Sequence, residues 1–97
     1  MVGEQDEIQV AFLDWDDQNT EHVARHGVAP EDVQAVLGNR PLFFRNLPGR
    51  SATHIMIGRD SYGRILYVPL LCVEWPDVWR VVSAWESRFA RRLYPSN

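Results

Sequence analysis

Residues 52–74, ATHIMIGRDSYGRILYVPLLCVE, consist of two apolar segments separated by a short polar connection. The segments 52–58 and 64–74 are rich in branched and aromatic residues, which favour β-strands, and the connection between them has turn chemistry. Because strands joined by so few residues pair antiparallel, this stretch predicts a β-hairpin. Pro69 cannot donate a ladder hydrogen bond and therefore indicates an edge or a bulge in the second strand.

The same pattern continues on both sides of the hairpin. RPLFFR (40–45) and VWRVVSA (78–84) are further strand candidates, and the short connections NLPGRS and WPD favour an antiparallel meander of four strands. IQVAFLDW (8–15) is an additional short strand candidate. The sequence thus predicts an antiparallel sheet of about four to five strands.

Two helices are predicted in the N-terminal half. Asp14 or Asp16 can cap a helix over about 17–26, and Gly27 suits the left-handed position that ends it. APEDVQAVLG (29–38) follows as a second helix, since its proline fits the first helical turn.

A third helix is predicted over 85–94, WESRFARRLY, because Trp85, Phe89 and Leu93 recur at four-residue intervals. The order of elements is then β-α-α-β-β-β-β-α, which is an α+β domain. Ninety-seven residues suit a single domain over 1–97, with 1–7 as a flexible acidic N-terminus.

Composition restricts the class of protein. No segment has the roughly 18 apolar residues needed to cross a membrane, and the acidic N-terminus does not resemble a signal peptide. The single cysteine, Cys72, lies in an apolar run and is expected to be a small core residue. A lone cysteine without a disulfide partner also suits a reducing cytoplasm.

The net charge of −3 is unevenly distributed along the chain. Residues 1–32 contain nine acidic residues and only Arg25 as a base, whereas residues 33–97 contain four acidic residues and nine arginines. This asymmetry predicts one acidic face and one basic face. Arginine binds phosphate in a bidentate manner, which suits RNA, although codon bias in a GC-rich genome explains the absence of lysine equally well.

His22 and His26 lie four residues apart, just before Gly27. A metal site needs three or four convergent ligands and this pair supplies two, so neither a metal nor another cofactor is predicted. Two interpretations remain open. The pair marks the end of a helix, where His26 is favourably placed at the negative C-terminus, or it contributes a working imidazole.

Three motifs, in chain order, resemble the BrnT family of bacterial type II toxins. They are LDWDDQNTEHVARHGVAPEDVQAVL (13–37), IMIGRDSYGRILYV (55–68) and WRVVSAWESRFARRLY (79–94), and they cover most of residues 12–94. The family elements they match are a Trp-Asp before a helix that ends in basic-His-Gly, an Ile-Gly and a Gly-Arg around a turn, and a Ser-Ala that leads into a basic helix. Trp85, Glu86 and Ser87 depart from this pattern, because the family has basic residues after Ser-Ala.

The resemblance implies a RelE-like fold and a metal-independent endoribonuclease that cleaves RNA and inhibits translation. It also implies neutralisation by a BrnA-like antitoxin of the ribbon-helix-helix type, with promoter DNA bound only through the antitoxin and no membrane association. A domain this small, with partly exposed apolar surface, further suits a homodimer or a hetero-oligomer.

The positions of the arginines can be estimated from the hairpins. A tight turn at DSYG places Arg59 and Arg64 at one end of the sheet. Arg80 is expected opposite Cys72, eight residues from Arg64, which is roughly 26 Å along the strands. Arg88 follows the last strand and falls at the Arg64 end, where residues of the last helix can converge on it.

RNA cleavage without a metal requires a general base, a general acid and positive charge near the phosphate. On this basis and from the motif matches, the predicted catalytic residues are Arg64, Arg80, His26 and Arg88, and the predicted RNA-binding residues are Arg59, Arg92 and Tyr94. The hypothesis requires these arginines to gather into one patch. Side chains scattered over unrelated surfaces, or bound to the acidic N-terminal segment, would overturn the nuclease hypothesis.

The acidic first third and the Trp85-Glu86-Ser87 departure motivate an alternative function. In this alternative the chain is a catalytically inactive, toxin-like interaction or co-repressor module that binds a DNA-binding antitoxin.

Overall fold

A six-stranded sheet with helices on both faces forms the centre of the computed structural model, which describes residues 2–95. Residues 1 and 96–97 of the predicted 1–97 domain lie outside the described residues. The predicted α+β class is confirmed. In chain order the elements are β1 (Phe12–Asp14), α1 (Asp17–Ala24), α2 (Pro30–Gly38), β2 (Leu42–Arg45), β3 (His54–Arg59), β4 (Ile65–Glu74), β5 (Val78–Val81), β6 (Trp85–Glu86) and α3 (Arg88–Leu93).

The central strands β2, β3, β4 and β5 form the predicted antiparallel meander. The strand order is β1-β5-β4-β3-β2, and β6 pairs with β4. In contrast to the prediction of an antiparallel sheet, β1 pairs parallel with β5, with Leu13 opposite Trp79. The sheet is mixed because two helices (α1 and α2) and three strands separate β1 from β5. Such a long connection lets the two strands run in the same direction.

Both faces of the sheet are covered, which explains why β4 is apolar along most of its length. On β3 the side chain of Met56 belongs to the cluster that packs under α1 and α2, whereas Ile55 and Ile57 belong to the cluster that packs against α3. Cys72, which was expected to be a small core residue, is only partly buried and packs against the first of these clusters.

Helix α1 begins with a capping box. The Asp16 carboxylate accepts a hydrogen bond from the Asn19 backbone N–H at 3.0 Å, and the Asn19 side chain accepts one from the Asp16 N–H at 2.8 Å. The buried Asn19 amide also donates to the carbonyls of Asp14 and Val81, and it thereby joins α1 to β1 and β5. The helix ends at Ala24, two residues before the predicted end at residue 26.

Helix α2 lies close to the sheet at a glycine. A Cβ atom on Gly58 would lie 2.9 Å from Cγ1 of Val36, so only glycine lets α2 approach β3 at this distance. At the start of α2 the Asp32 carboxylate accepts a hydrogen bond from the Ala29 N–H at 2.8 Å. Gly27 has a φ of +74°, which confirms the left-handed position predicted between the two helices.

The prediction of a helix over 85–94 is wrong in its first turn. Trp85 and Glu86 form strand β6, in which Trp85 pairs with Tyr67 of β4. The helix begins only at Arg88, and the Ser87 hydroxyl caps it by accepting a hydrogen bond from the Ala90 N–H. The four-residue spacing of Trp85, Phe89 and Leu93 was a weaker determinant here than the first half of β4, which β5 leaves unpaired. None of the helices in residues 2–95 is long and apolar enough to span a bilayer.

The acidic N-terminal segment lies along β2. The Gly3 N–H donates to the Arg45 carbonyl and the Arg45 N–H donates to the Glu4 carbonyl, both at 2.8 Å. The Asp6 carboxylate lies 2.9 Å from Nε2 of His54, and this contact holds the pKa of Asp6 below its ordinary value. The flexibility proposed for residues 1–7 stays a prediction, but these contacts give the segment a defined place at the edge of the sheet.

Candidate functional site

Arg64 was predicted to be catalytic, and the structure gives its guanidinium three protein partners. Its Nε donates to the Asp60 carboxylate at 2.7 Å, one terminal nitrogen donates to the Asp32 carboxylate at 3.1 Å, and the other donates to the Gly27 carbonyl at 2.9 Å. The Asp60 side chain is fully buried. Burial acts to lower the pKa of Arg64, but the carboxylates, with Asp60 first, outweigh it, so the pKa is raised.

These contacts make Arg64 a positioning residue. It joins the β3–β4 turn, through Asp60, to the start of α2, through Asp32, and to the connection between α1 and α2, through the Gly27 carbonyl. Gly27 directly follows His26, so Arg64 holds the backbone next to a second predicted catalytic residue. A guanidinium that already has these partners would have to exchange carboxylates for a phosphate in order to bind RNA directly.

Arg80 is also bound to the acidic N-terminal third. Its two terminal nitrogens donate to both carboxylate oxygens of Asp16, at 2.8 and 3.1 Å, and one of them lies 3.4 Å from Asp14. Since Asp16 also caps α1, the pair joins β5 to the start of that helix. Arg64 and Arg80 are therefore bound to carboxylates of the acidic N-terminal third and do not form the arginine patch that the nuclease hypothesis requires, so a nuclease site would have to use other residues.

The Arg80–Asp16 pair should make stability depend on acidity. The Arg80 guanidinium, followed by the Asn19 backbone N–H, holds the pKa of Asp16 below its ordinary value of 3.8. A carboxyl whose pKa is lowered on folding stabilises the protein above its unfolded pKa, and this contribution is lost as the pH falls through the folded pKa. We expect the difference in urea midpoint between wild type and Arg80→Met to be largest near neutral pH and to shrink below about pH 4. A difference that stays constant down to about pH 2 would contradict this assignment.

Arg59 and Tyr94, two predicted RNA-binding residues, line a shallow cleft with Gly38, Asn39 and Arg40. The Tyr94 hydroxyl donates to the Asn39 carbonyl at 2.8 Å, and Arg59 donates to the Gly63 carbonyl at 3.3 Å. The structure thus brings these two residues together at the end of the sheet near Arg64. Arg92 is exposed on α3, outside this cleft.

His26 lies in a more open cleft, which we call the histidine cleft. Its rim consists of His22, His26, Ser83, Trp85 and Glu86, and its volume is about 690 Å³. The rings of His22 and His26 are edge to face with centroids 5.7 Å apart, and the His26 ring lies 6.0 Å from that of Trp85. Both histidines are exposed. His22 is on the last turn of α1, and His26 follows that helix. His26 was predicted to lie in the last turn of the helix, but it lies two residues beyond the end of α1 at Ala24.

Arg88 lies next to the histidine cleft rather than inside it. Glu86, Ser87, Arg88 and Arg91 surround a smaller concave surface, the arginine cleft, and Glu86 belongs to both clefts. The Ser87 N–H donates to the Ile65 carbonyl, so Arg88 follows β6 at the Arg64 end of the sheet as predicted. Among residues 2–95, neither Arg88 nor Arg91 takes part in an ion pair with a side chain.

Arg64 and Arg80 lie far apart along the strands, as predicted, but the predicted strand register is wrong by one residue. Arg80 pairs with Leu71, not with Cys72, because a bulge between Cys72 and Glu74 shifts the ladder by one residue. The seven residues from Arg64 to Leu71 correspond to about 23 Å along the strand. One phosphate cannot contact both arginines.

The sequence patterns did not predict a further concave surface, the aromatic cleft, on the α3 face of the sheet. Arg50, Ile55, Tyr67, Pro69, Trp85 and Phe89 line it, and Trp85 belongs to the histidine cleft as well. The alternation of inward and outward side chains along β4 places Tyr67 on this face. Trp85 joins it only because residues 85–86 form a strand instead of the predicted helix.

The remaining tests of the site concern metals and relatives. Within residues 2–95, no three His, Cys, Asp or Glu side chains are grouped as a metal site would require. Comparisons of the chain with protein-family models, with curated proteins and with solved structures found no match.

Proposed function

We propose that this chain is the toxin of a type II toxin–antitoxin system and that it cleaves RNA, without a metal ion, at the histidine cleft. The observation that carries the proposal is the pair of exposed imidazoles, with ring centroids 5.7 Å apart, beside an open concave surface. Histidine is the side chain best suited to exchange protons near neutral pH. The resemblance to the BrnT family supports the same activity and includes His26 in one of its motifs.

Two imidazoles are sufficient for the acid–base steps of RNA cleavage. One imidazole takes the proton of the 2′-hydroxyl as its oxygen forms a bond to phosphorus. The other donates a proton to the 5′-oxygen as the bond between that oxygen and phosphorus breaks. The products are a 2′,3′-cyclic phosphate and a free 5′-hydroxyl, and His22 and His26 divide the roles of base and acid.

The charge that develops on the phosphorane needs positive groups nearby. Arg88 and Arg91 in the adjacent arginine cleft are exposed, and guanidinium groups bind phosphate oxygens in a bidentate manner. Arg64 acts on the site through the backbone, because it holds the carbonyl of Gly27 next to His26. In this arrangement His26 and Arg88 remain in the catalytic set, and His22 and Arg91 are added to it. Arg64 and Arg80 have structural roles instead.

Incubation of the purified chain with single-stranded RNA in EDTA tests the activity. We expect cleavage products that end in a 2′,3′-cyclic phosphate, and we expect induced expression in bacteria to arrest growth. Intact RNA together with normal growth, from protein shown to be folded, would refute the proposal. Cleavage that stops in EDTA and returns with a divalent metal would refute the metal-free mechanism.

The partners and location in this proposal come from the family resemblance. The chain would act in the cytoplasm and bind a BrnA-like antitoxin of the ribbon-helix-helix type, and it would reach promoter DNA only through that antitoxin. Co-expression with the product of the adjacent gene tests this part. A stable complex that restores growth supports it, and arrest that persists in the presence of that product contradicts it.

One observation favours a second candidate function. Arg64 and Arg80, which lie in the family-like motifs, both form ion pairs with carboxylates of the acidic N-terminal third. Such contacts suit a catalytically inactive interaction or co-repressor module. Absence of growth arrest, combined with tight binding to the neighbouring gene's product and to promoter DNA in complex with it, would favour this function over the nuclease.

A further inference from the structure

The aromatic cleft is a concave apolar surface of about 380 Å³. This volume falls within the range of about 300–1,000 Å³ that is usual for small-molecule sites. Ile55 and Pro69, which are neighbours on β3 and β4, lie in it together with Tyr67 and Phe89. The cleft lies beside α3, which has only six residues and contributes Phe89 to the lining.

Three aromatic rings border this surface. The Tyr67 and Trp85 rings are inclined by 32° with centroids 4.9 Å apart, and the Phe89 ring lies 6.4 Å from that of Tyr67. Phe89 is a large apolar side chain that remains 36% exposed. Tyr67 and Trp85 are half-buried, so Phe89 is the ring of the three that offers an exposed π-face on which a planar ligand can stack.

One positive group completes the cleft. Arg50 is exposed at its edge, and it lies close enough to Tyr67 to oppose the rise in the pKa of the phenol that burial causes. A planar, apolar surface next to a guanidinium suits a ligand that has both a flat ring and an anionic group. A nucleotide has this combination, with its base as the ring and its phosphate as the anion.

We propose that the aromatic cleft binds an unstacked nucleobase of single-stranded RNA, next to the phosphate that is held at the histidine cleft. This inference rests on the proposed function and specifies how that site selects its substrate. Trp85 borders both clefts, so an RNA strand can pass from one to the other without leaving the protein surface. Since a base within a duplex is already stacked and paired, the cleft selects single strands and unpaired loops.

Binding of a short, single-stranded 2′-O-methyl RNA, measured by fluorescence anisotropy, tests this inference. The methyl group blocks the 2′-oxygen, so the probe binds without being cleaved. We expect Phe89→Leu to weaken binding about tenfold, because leucine fills a similar volume but has no π-face. Phe89→Tyr restores a ring and should bind within about twofold of wild type.

Two controls separate this effect from folding and from aromatic residues elsewhere. Tyr62 is 78% exposed on the β3–β4 turn, outside the aromatic cleft, so Tyr62→Leu should bind as wild type does. Thermal unfolding of each variant, followed by circular dichroism, verifies that the fold is retained. A duplex of the same sequence should bind at least about tenfold more weakly than the single strand.

The outcomes distinguish this inference from the nuclease proposal. Equal binding by Phe89→Leu and Tyr62→Leu, or no binding of the probe to wild type, would overturn the base-binding cleft. Cleavage of RNA that is independent of Phe89 would leave the nuclease proposal intact and remove only the cleft. Phe89-dependent binding without any cleavage would support the cleft and refute the nuclease. Binding of a peptide partner that Phe89→Leu abolishes, with RNA unbound, would assign the surface to protein recognition instead.

Discussion

Replacing Arg64 by methionine should lower the free energy of unfolding by roughly 3 kcal/mol, because it leaves a buried carboxylate without its cation. The Asp60 side chain is fully buried, and Arg64 is the guanidinium that pairs with it at 2.7 Å. Small domains have total stabilities of only about 5–15 kcal/mol, so a loss of this size lowers the melting temperature by well over ten degrees. Urea denaturation followed by circular dichroism measures the change.

Arg80→Met is the matched control for this prediction. Arg80 also pairs with two carboxylates, but the Asp14 and Asp16 side chains are 44% and 52% exposed. Ion pairs that reach solvent contribute little to stability, so the control should be far less destabilised. Equal losses for the two variants would show that burial of Asp60 does not determine the role of Arg64.

A double variant separates charge from packing at this position. Arg64→Met combined with Asp60→Asn removes both charges, and the asparagine oxygen can still accept the backbone N–H bonds from Tyr62 and Arg64 that Asp60 accepts. The double variant should recover about half of the stability lost in Arg64→Met. No recovery would mean that the contacts with Asp32 and Gly27 carry most of the effect.

Replacing His26 by glutamine should reduce the rate of RNA cleavage by about 10²–10⁴-fold, the usual contribution of a positioned general acid or base. Glutamine keeps the polarity of the side chain but cannot exchange a proton near neutral pH. The fold should be unaffected, since His26 is exposed just beyond α1. Initial rates over a range of pH, at saturating RNA, measure the effect.

The pH dependence distinguishes a proton-transfer role from a binding role. If His22 and His26 act as base and acid, the wild-type rate passes through a maximum with pH, and each single variant loses one side of that maximum. His54→Gln is the control, because His54 is on β3, where it contacts Asp6, and lies outside the histidine cleft. Cleavage that survives in the double variant His22→Gln/His26→Gln would remove the histidines from catalysis.

The local elements of this fold were predictable because each depends on neighbouring residues. The hairpin of residues 52–74 follows from two apolar segments and a turn, and Gly27 ends a helix because a left-handed residue is needed there. Strand β6 was not predictable in this way. Trp85 has the spacing of a helical residue, and only the unpaired edge of β4 beside Tyr67 makes it a strand residue.

The candidate site shows the same division. His26 and Arg88 were predicted from the sequence, and they lie at adjoining clefts in the structure. Arg64 was predicted to be catalytic, but the sequence does not show that Asp32 and Asp60 converge on its guanidinium. The aromatic cleft was missed, since Tyr67 and Phe89 come from different elements and meet only on the folded sheet.

The sequence by itself therefore determined the order of the elements other than β6, the class of the fold and the separation of acidic from basic residues along the chain. These properties depend on hydrophobic periodicity and turn chemistry, which act over a few residues. Only the tertiary structure decided which arginines are neutralised by the acidic third and which remain exposed. Ion pairs such as Arg80–Asp16 join residues 64 positions apart, and their formation depends on the parallel pairing of β1 with β5, which no local pattern encodes.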